Sequence, residues 1–165
     1  MEYEDRVFRN SSRDVRLIGF WTGQRFGYSR RMNATELQAT FPDHFAPWVL
    51  ALGLTVETVS TDGVVLRLAH SDQLSRSGGM LCGQAMMAAA DTAMVMALIN
   101  HFGAFRPCTT VQMSSSFVRP LSNQDALVEA SIVRAGKTMA FGEIDIRGAI
   151  DGKSVCRVAV TYALL

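Results

Sequence analysis

Net charge is almost absent from this 165-residue sequence: 16 Lys and Arg face 15 Asp and Glu, a formal +1. A chain without an overall field does not concentrate DNA, RNA or an anionic membrane, so neither nucleic acid nor membrane is an expected partner. Cysteine is scarce as well. Cys82, Cys108 and Cys156 are odd in number and far apart, with neither the paired spacing of a zinc site nor an even disulfide set. No metal is expected, and a reducing, cytoplasmic setting fits. The first ten residues are charged where a secretory signal has an apolar core, and no run approaches the roughly 20 apolar residues of a membrane span. With 3 Tyr and 2 Trp against 9 Met and 9 Phe, the apolar content describes an adaptable interior rather than a base-stacking or sugar-binding surface.

What is present is 48% hydrophobic residues in a length suited to one globular domain. Residues 1–32 read as an Arg-rich N-terminal extension and 33–165 as a single domain. Asn33 and Glu36 have the spacing of a capped helix start, giving a short helix through Phe41. A second short helix is expected over 45–52, closed by Gly53. Residues 54–60 and 64–69 alternate as strands around the Asp-Gly turn at 61–63. A polar loop, 70–79, leads to a helix over 81–100 that is apolar almost all the way round. Four more strands follow, at 109–118, 126–135, 138–150 and 154–164, joined by connections short enough for antiparallel pairing. The fold class is therefore α+β: an antiparallel sheet of about six strands wrapped around one long helix, with extra N-terminal helices.

Within the long helix Asp91 is the only ionisable side chain apart from the thiol of Cys82. A carboxylate among apolar residues costs several kcal/mol unless it is paired, hydrogen-bonded or opened to a cavity. An Asp on a solvent-facing stripe or bonded to nearby backbone satisfies that demand; so does a general base beside a cleft. The helix start is rich in glycine, at 78, 79 and 83, and its first amides lack intrahelical partners. Such amides can pack closely or hold a developing oxyanion. Gly83 and Asp91 are eight residues apart, roughly 12 Å along one helix, too far to touch one carbonyl group. Two copies with antiparallel helices would bring Gly83 of one to Asp91 of the other. His44, His70 and His101 show no ligand spacing.

The segments Gly79-Met-Leu-Cys82-Gly83-Gln84, Asp91-Thr-Ala-Met94, Thr110 to Pro120 with its Phe117-Val-Arg119-Pro120 end, and Val133 to Glu143 with Arg134-Ala-Gly136-Lys137 together resemble one family. It is the hotdog-fold acyl-CoA thioesterases of the phenylacetate-pathway (PaaI-like) type, and the likeness covers about residues 45–165. The resemblance implies hydrolysis of a small or medium acyl-CoA thioester, with Asp91 as general base or nucleophile. It puts the carbonyl-polarising amide at Gly83 and a water-placing hydroxyl at Thr110, with Thr109 as its neighbour. It implies a homodimer or dimer of dimers with sites between chains, and no cofactor beyond the coenzyme A of the substrate. Cys82 stands where the family has His, and Gln84 where it has a second Gly; both fall among the expected substrate-binding residues. Cys82 reads as a small filler or a reactive thiol. Arg119, Arg134 and Lys137 are candidates for the coenzyme A phosphates or plain exposed charges. A hotdog hydratase or dehydratase and a non-catalytic acyl-CoA-binding sensor are the alternative functions.

Overall fold

The computed structural model describes residues 31–165, so the Arg-rich extension, apart from Arg31 and Met32, lies outside the described residues. Its chain order is α1 (Ala34–Gln38), α2 (Phe41–His44), α3 (Pro47–Leu50), β1 (Thr55–Val59), β2 (Gly63–Leu68), a 3-10 turn (Asp72–Leu74), β3 (Ser75–Arg76), β4 (Met80–Leu81), α4 (Gly83–Phe102), β5 (Cys108–Phe117), β6 (Ala126–Ala135), β7 (Met139–Gly148) and β8 (Ser154–Leu164). Six strands form one fully antiparallel sheet in the order β1-β2-β6-β7-β8-β5. The sheet packs around α4, as the alternation of the strands requires: Val64, Leu66 and Leu68 on β2, Ala126, Val128 and Ala130 on β6, and Val158, Val160 and Tyr162 on β8 are all buried.

α4 is built for close approach. Ala89, Ala90, Ala93 and Ala97 are fully buried, and Gly142 on β7 leaves room for Met94, whose Sδ would lie 2.3 Å from a Cβ there. With 20 residues and a mean hydropathy of 1.3, α4 is long and apolar enough to cross a bilayer, contrary to the expectation that no segment is. Two-thirds of that stretch is buried under the sheet, as in the core helix of a globular domain.

The N-terminal helices depart from expectation at the prolines. α1 carries the expected capping box, with Glu36 N–H donating to Asn33 Oδ1 and Asn33 N–H to Glu36 Oε2, both at 2.9 Å. It stops at Gln38, however, a separate turn, α2, follows at Phe41–His44, and the helix expected over 45–52 is the single turn Pro47–Leu50. Phe45 (φ −120°, ψ 144°) and Ala46 (φ −62°, ψ 151°) are extended, the conformation that Pro47 imposes on the residue before it. The polar loop 70–79 is also more ordered than its composition implies, holding the 3-10 turn and the first strand of a small hairpin turned by Gly78 (φ +92°) and Gly79 (φ +70°). Leu81 belongs to that hairpin, so α4 begins at Gly83, two residues later than expected, and runs to Gly103 (φ +72°), its left-handed cap. Gly63 serves packing rather than the turn: a Cβ there would stand 2.3 Å from the Ala130 carbonyl oxygen.

Candidate active site

Between the ends of α4, where Gly83, His101 and Phe102 are also accessible, the residues that are not buried, Gln84, Met87, Ala88, Asp91 and Val95, recur every three or four positions and form one stripe. Asp91 is half-buried in the middle of it. Two hydroxyls reach its carboxylate from the sheet. Thr110 Oγ1 donates to Oδ1 at 2.9 Å, and the Tyr162 phenol makes a short bond to the same Oδ1 and lies 3.1 Å from the Asp91 backbone carbonyl. No described residue bonds Oδ2.

The strand register explains why both hydroxyls arrive together. Thr110 on β5 lies directly opposite Tyr162 on β8, so both side chains leave the same face of the sheet. The register then slips at Val111, a bulge that also keeps Met113, Ser115 and Phe117 on the helix face. Thr109 pairs with Ala163 and points away from Asp91. Burial, and next the negative charge of Asp91, push the Tyr162 phenol well above its ordinary range, so it stays protonated as a donor. The same two causes raise the thiol of Cys108, two residues before Thr110.

At the start of the helix, Cys82 is the N-cap of α4 and its Sγ accepts from Ala85 N–H at 3.4 Å. The amides of Gly83 and Gln84 have no partner among the described residues. Phe117 stands over Gly83, 3.3 Å from where a Cβ would be. Beside it opens a cavity of about 410 Å³ lined by Arg76, Met80, Gly83, Met86, Phe117 and Arg119, among others. A second cavity of the same size, on the outer face of the sheet by Ser114, Ser131, Glu143 and Arg157, touches neither Gly83 nor Asp91.

The structure thus joins Asp91 to Thr110 and places Cys82, Gly83, Gln84 and Arg119 together at the helix start. The two groups lie roughly 12 Å apart along α4, the first at its middle and the second at its start. Arg134 and Lys137 flank the β6–β7 turn: Arg134 stands opposite the exposed Phe141, on the sheet face away from α4, while its neighbour Ala135 joins the Ala140 and Tyr162 row, and the Lys137 carbonyl accepts from Arg106 at 2.6 Å. Sequence reasoning missed Tyr162 and Arg76. The signal for Tyr162 was a single hydroxyl in the otherwise aliphatic inward row of β8. Among the described residues no three His, Cys, Asp or Glu side chains are grouped to hold a metal ion.

Residues 78–155 match the family profile of the thioesterase superfamily, a span that includes Gly83, Asp91 and Thr110. A Thermoplasma acidophilum protein named "Putative esterase" is 27% identical over 97 residues, covering 59% of this chain and 70% of its own length. The fold is shared with a thioesterase of Haemophilus influenzae at 17% identity, with a TM-score of 0.73 over 83% of this chain and 93% of that one. It is shared also with zebrafish thioesterase superfamily member 2 at 22% identity, with a TM-score of 0.72 over 81% and 99%. The chain therefore carries the hotdog architecture, its helix lying in the wrap of six strands.

Proposed function

We propose that the protein is a PaaI-like hydrolase of small or medium acyl-CoA thioesters that works as a homodimer or dimer of dimers. The observation that carries this reading is the Asp91 carboxylate, held through Oδ1 by two hydroxyls while Oδ2 is open. In the reaction Oδ2 takes a proton from a water whose oxygen attacks the thioester carbonyl carbon; Thr110, its own proton given to Asp91, accepts from the second hydrogen of that water. The oxyanion forms against the free amides at the start of α4. Collapse breaks the carbon–sulfur bond, and the departing thiolate takes the proton from Asp91. Free acid and coenzyme A result. In the nucleophilic variant Oδ2 attacks the carbonyl carbon first, the carbon–sulfur bond breaks and coenzyme A leaves as its thiolate; water then opens the mixed anhydride to the free acid and the Asp91 carboxylate, and a proton released from that water goes to the thiolate.

Two chains are needed because the free amides and Asp91 lie roughly 12 Å apart along α4. Support for a second copy comes from β5, a ten-residue edge strand with no charge and no proline, the kind of edge that proteins cover. Pairing of two copies about a two-fold axis sets the partner subunit's Gly83 near Asp91. It also brings Arg76 and Arg119 of one chain toward Lys137 of the other, cations suited to coenzyme A phosphates. The test is Asp91→Asn across a panel of acyl-CoAs, with an expected loss on the order of 10²-fold or more in kcat. Unchanged turnover would overturn the reading. Tight acyl-CoA binding without turnover by the unmodified protein would make it a binding module instead.

A further inference from the structure

We infer that Tyr162 is a positioning residue that fixes the reactive orientation of Asp91, an inference that rests on the proposed hydrolysis. Asp91 lies on the one helix stripe open to solvent, and a carboxylate there is free to swing into water unless something holds it. Thr110 holds it from the edge strand, on an exposed side chain. Tyr162 holds it from inside: β8 lies between β7 and β5, and the residue is 1% exposed. Its ring stands in a row with Ala135 and Ala140, whose small side chains sit beside it on the helix face. From that fixed base the phenol meets both the carboxylate Oδ1 and the backbone carbonyl of Asp91, so side chain and helix are referred to one point.

The proton arithmetic assigns the direction. A phenol has one hydrogen, and the shorter contact, to Oδ1, takes it. Because its titration is displaced upward by burial and by Asp91, the phenol donates at every working pH and is not the proton source for the leaving group. Two donors on Oδ1 spend that oxygen and turn Oδ2 toward the reaction. The family profile ends at residue 155, so this contact lies beyond the matched span.

The experiment is Tyr162→Phe, which keeps the ring and removes only the hydroxyl, run beside Val160→Ala, a core change two residues away on the same strand. A misaligned base is expected to lower kcat on the order of 10- to 100-fold. KM is expected to stay within about twofold, since no contact to substrate is removed. If Tyr162 served only stability, Val160→Ala at an equal fall in melting temperature would lose as much kcat, and that result would overturn the assignment. A crystal structure of Tyr162→Phe gives a readout without turnover: Asp91 is expected to leave its bond with Thr110 or to occupy several rotamers. An Asp91 carboxylate unmoved in that structure, with kcat unchanged, refutes the inference. If the unmodified protein hydrolyses no thioester, the proposed function fails on its own, and the crystal structure still decides whether Tyr162 holds Asp91.

Discussion

Replacing Gly83 with proline removes one hydrogen-bond donor while leaving the helix start intact, and so isolates the amide as a chemical group. Gly83 is the first helical residue of α4, the position where proline is best tolerated because its amide has no intrahelical partner. Cys82 before it already has φ −75° and ψ 148°, the conformation that a following proline demands. The new Cβ meets Phe117 at 3.3 Å, and that ring is 51% exposed, free to move a few tenths of an ångström. The stability cost should therefore be about 1 kcal/mol or less. Loss of one oxyanion donor elsewhere costs about 2.7–4 kcal/mol of transition-state stabilisation, so kcat should fall on the order of 10²–10³-fold. The assay is steady-state hydrolysis of acyl-CoAs with a thermal melt on the same samples, and Gly83→Ala is the control. Alanine adds the same Cβ but keeps the N–H, so its loss should stay under about tenfold. A folded proline variant with undiminished kcat, or equal losses for alanine and proline, would refute the role of the amide.

Cys82→Ser should keep activity within a few-fold and raise stability by about 0.5–1 kcal/mol in a denaturant titration, since serine is a better N-cap than the thiol that now accepts from Ala85. A hundredfold loss would instead make Cys82 a nucleophile. Asp125 accepts from the His70 backbone N–H at 2.9 Å and from Arg67 at 3.0 Å, and these bonds, the first more than the second, hold its carboxyl below the usual range. Its stabilisation is present above the ordinary carboxylate pKa and lost as pH falls through the depressed one. Asp125→Asn should therefore cost about 1 kcal/mol at neutral pH, solvent screening of a side chain 34% exposed included. The gap to the unmodified protein should close below about pH 4.

Most of the architecture is legible from period and punctuation: the strand alternation and the all-round apolar helix fix which elements form, and short connections fix their antiparallel pairing. Boundaries fail where a local rule competes with composition. Pro47 holds the two residues before it extended, so the helix that the apolar content starts at Phe45 begins at Pro47, and two left-handed glycines convert a polar loop into a hairpin. Asp91 was visible because a lone charge in an apolar helix must be compensated. Its compensation was only half visible: the resemblance to thioesterases supplied Thr110, but that Thr110 and Tyr162 face the same oxygen depends on a strand register and a bulge at Val111 that no local pattern marks. The basic residues show the same limit. Arg119, Arg134 and Lys137 look alike in sequence, and only topology sorts them, Arg119 to the start of α4 and the other two to the β6–β7 turn.

The central claim is that each site is shared, Asp91 from one chain and Gly83 from the other, and mixed dimers test it most directly. Asp91→Asn and Gly83→Pro subunits, each inactive alone, are co-expressed in equal amounts and assayed on an acyl-CoA. Random pairing makes half of the dimers mixed, and each mixed dimer regains one intact site of two, so activity should return to about a quarter of the unmodified level. A mixture that forms mixed dimers yet stays as inactive as its parents would contradict the account.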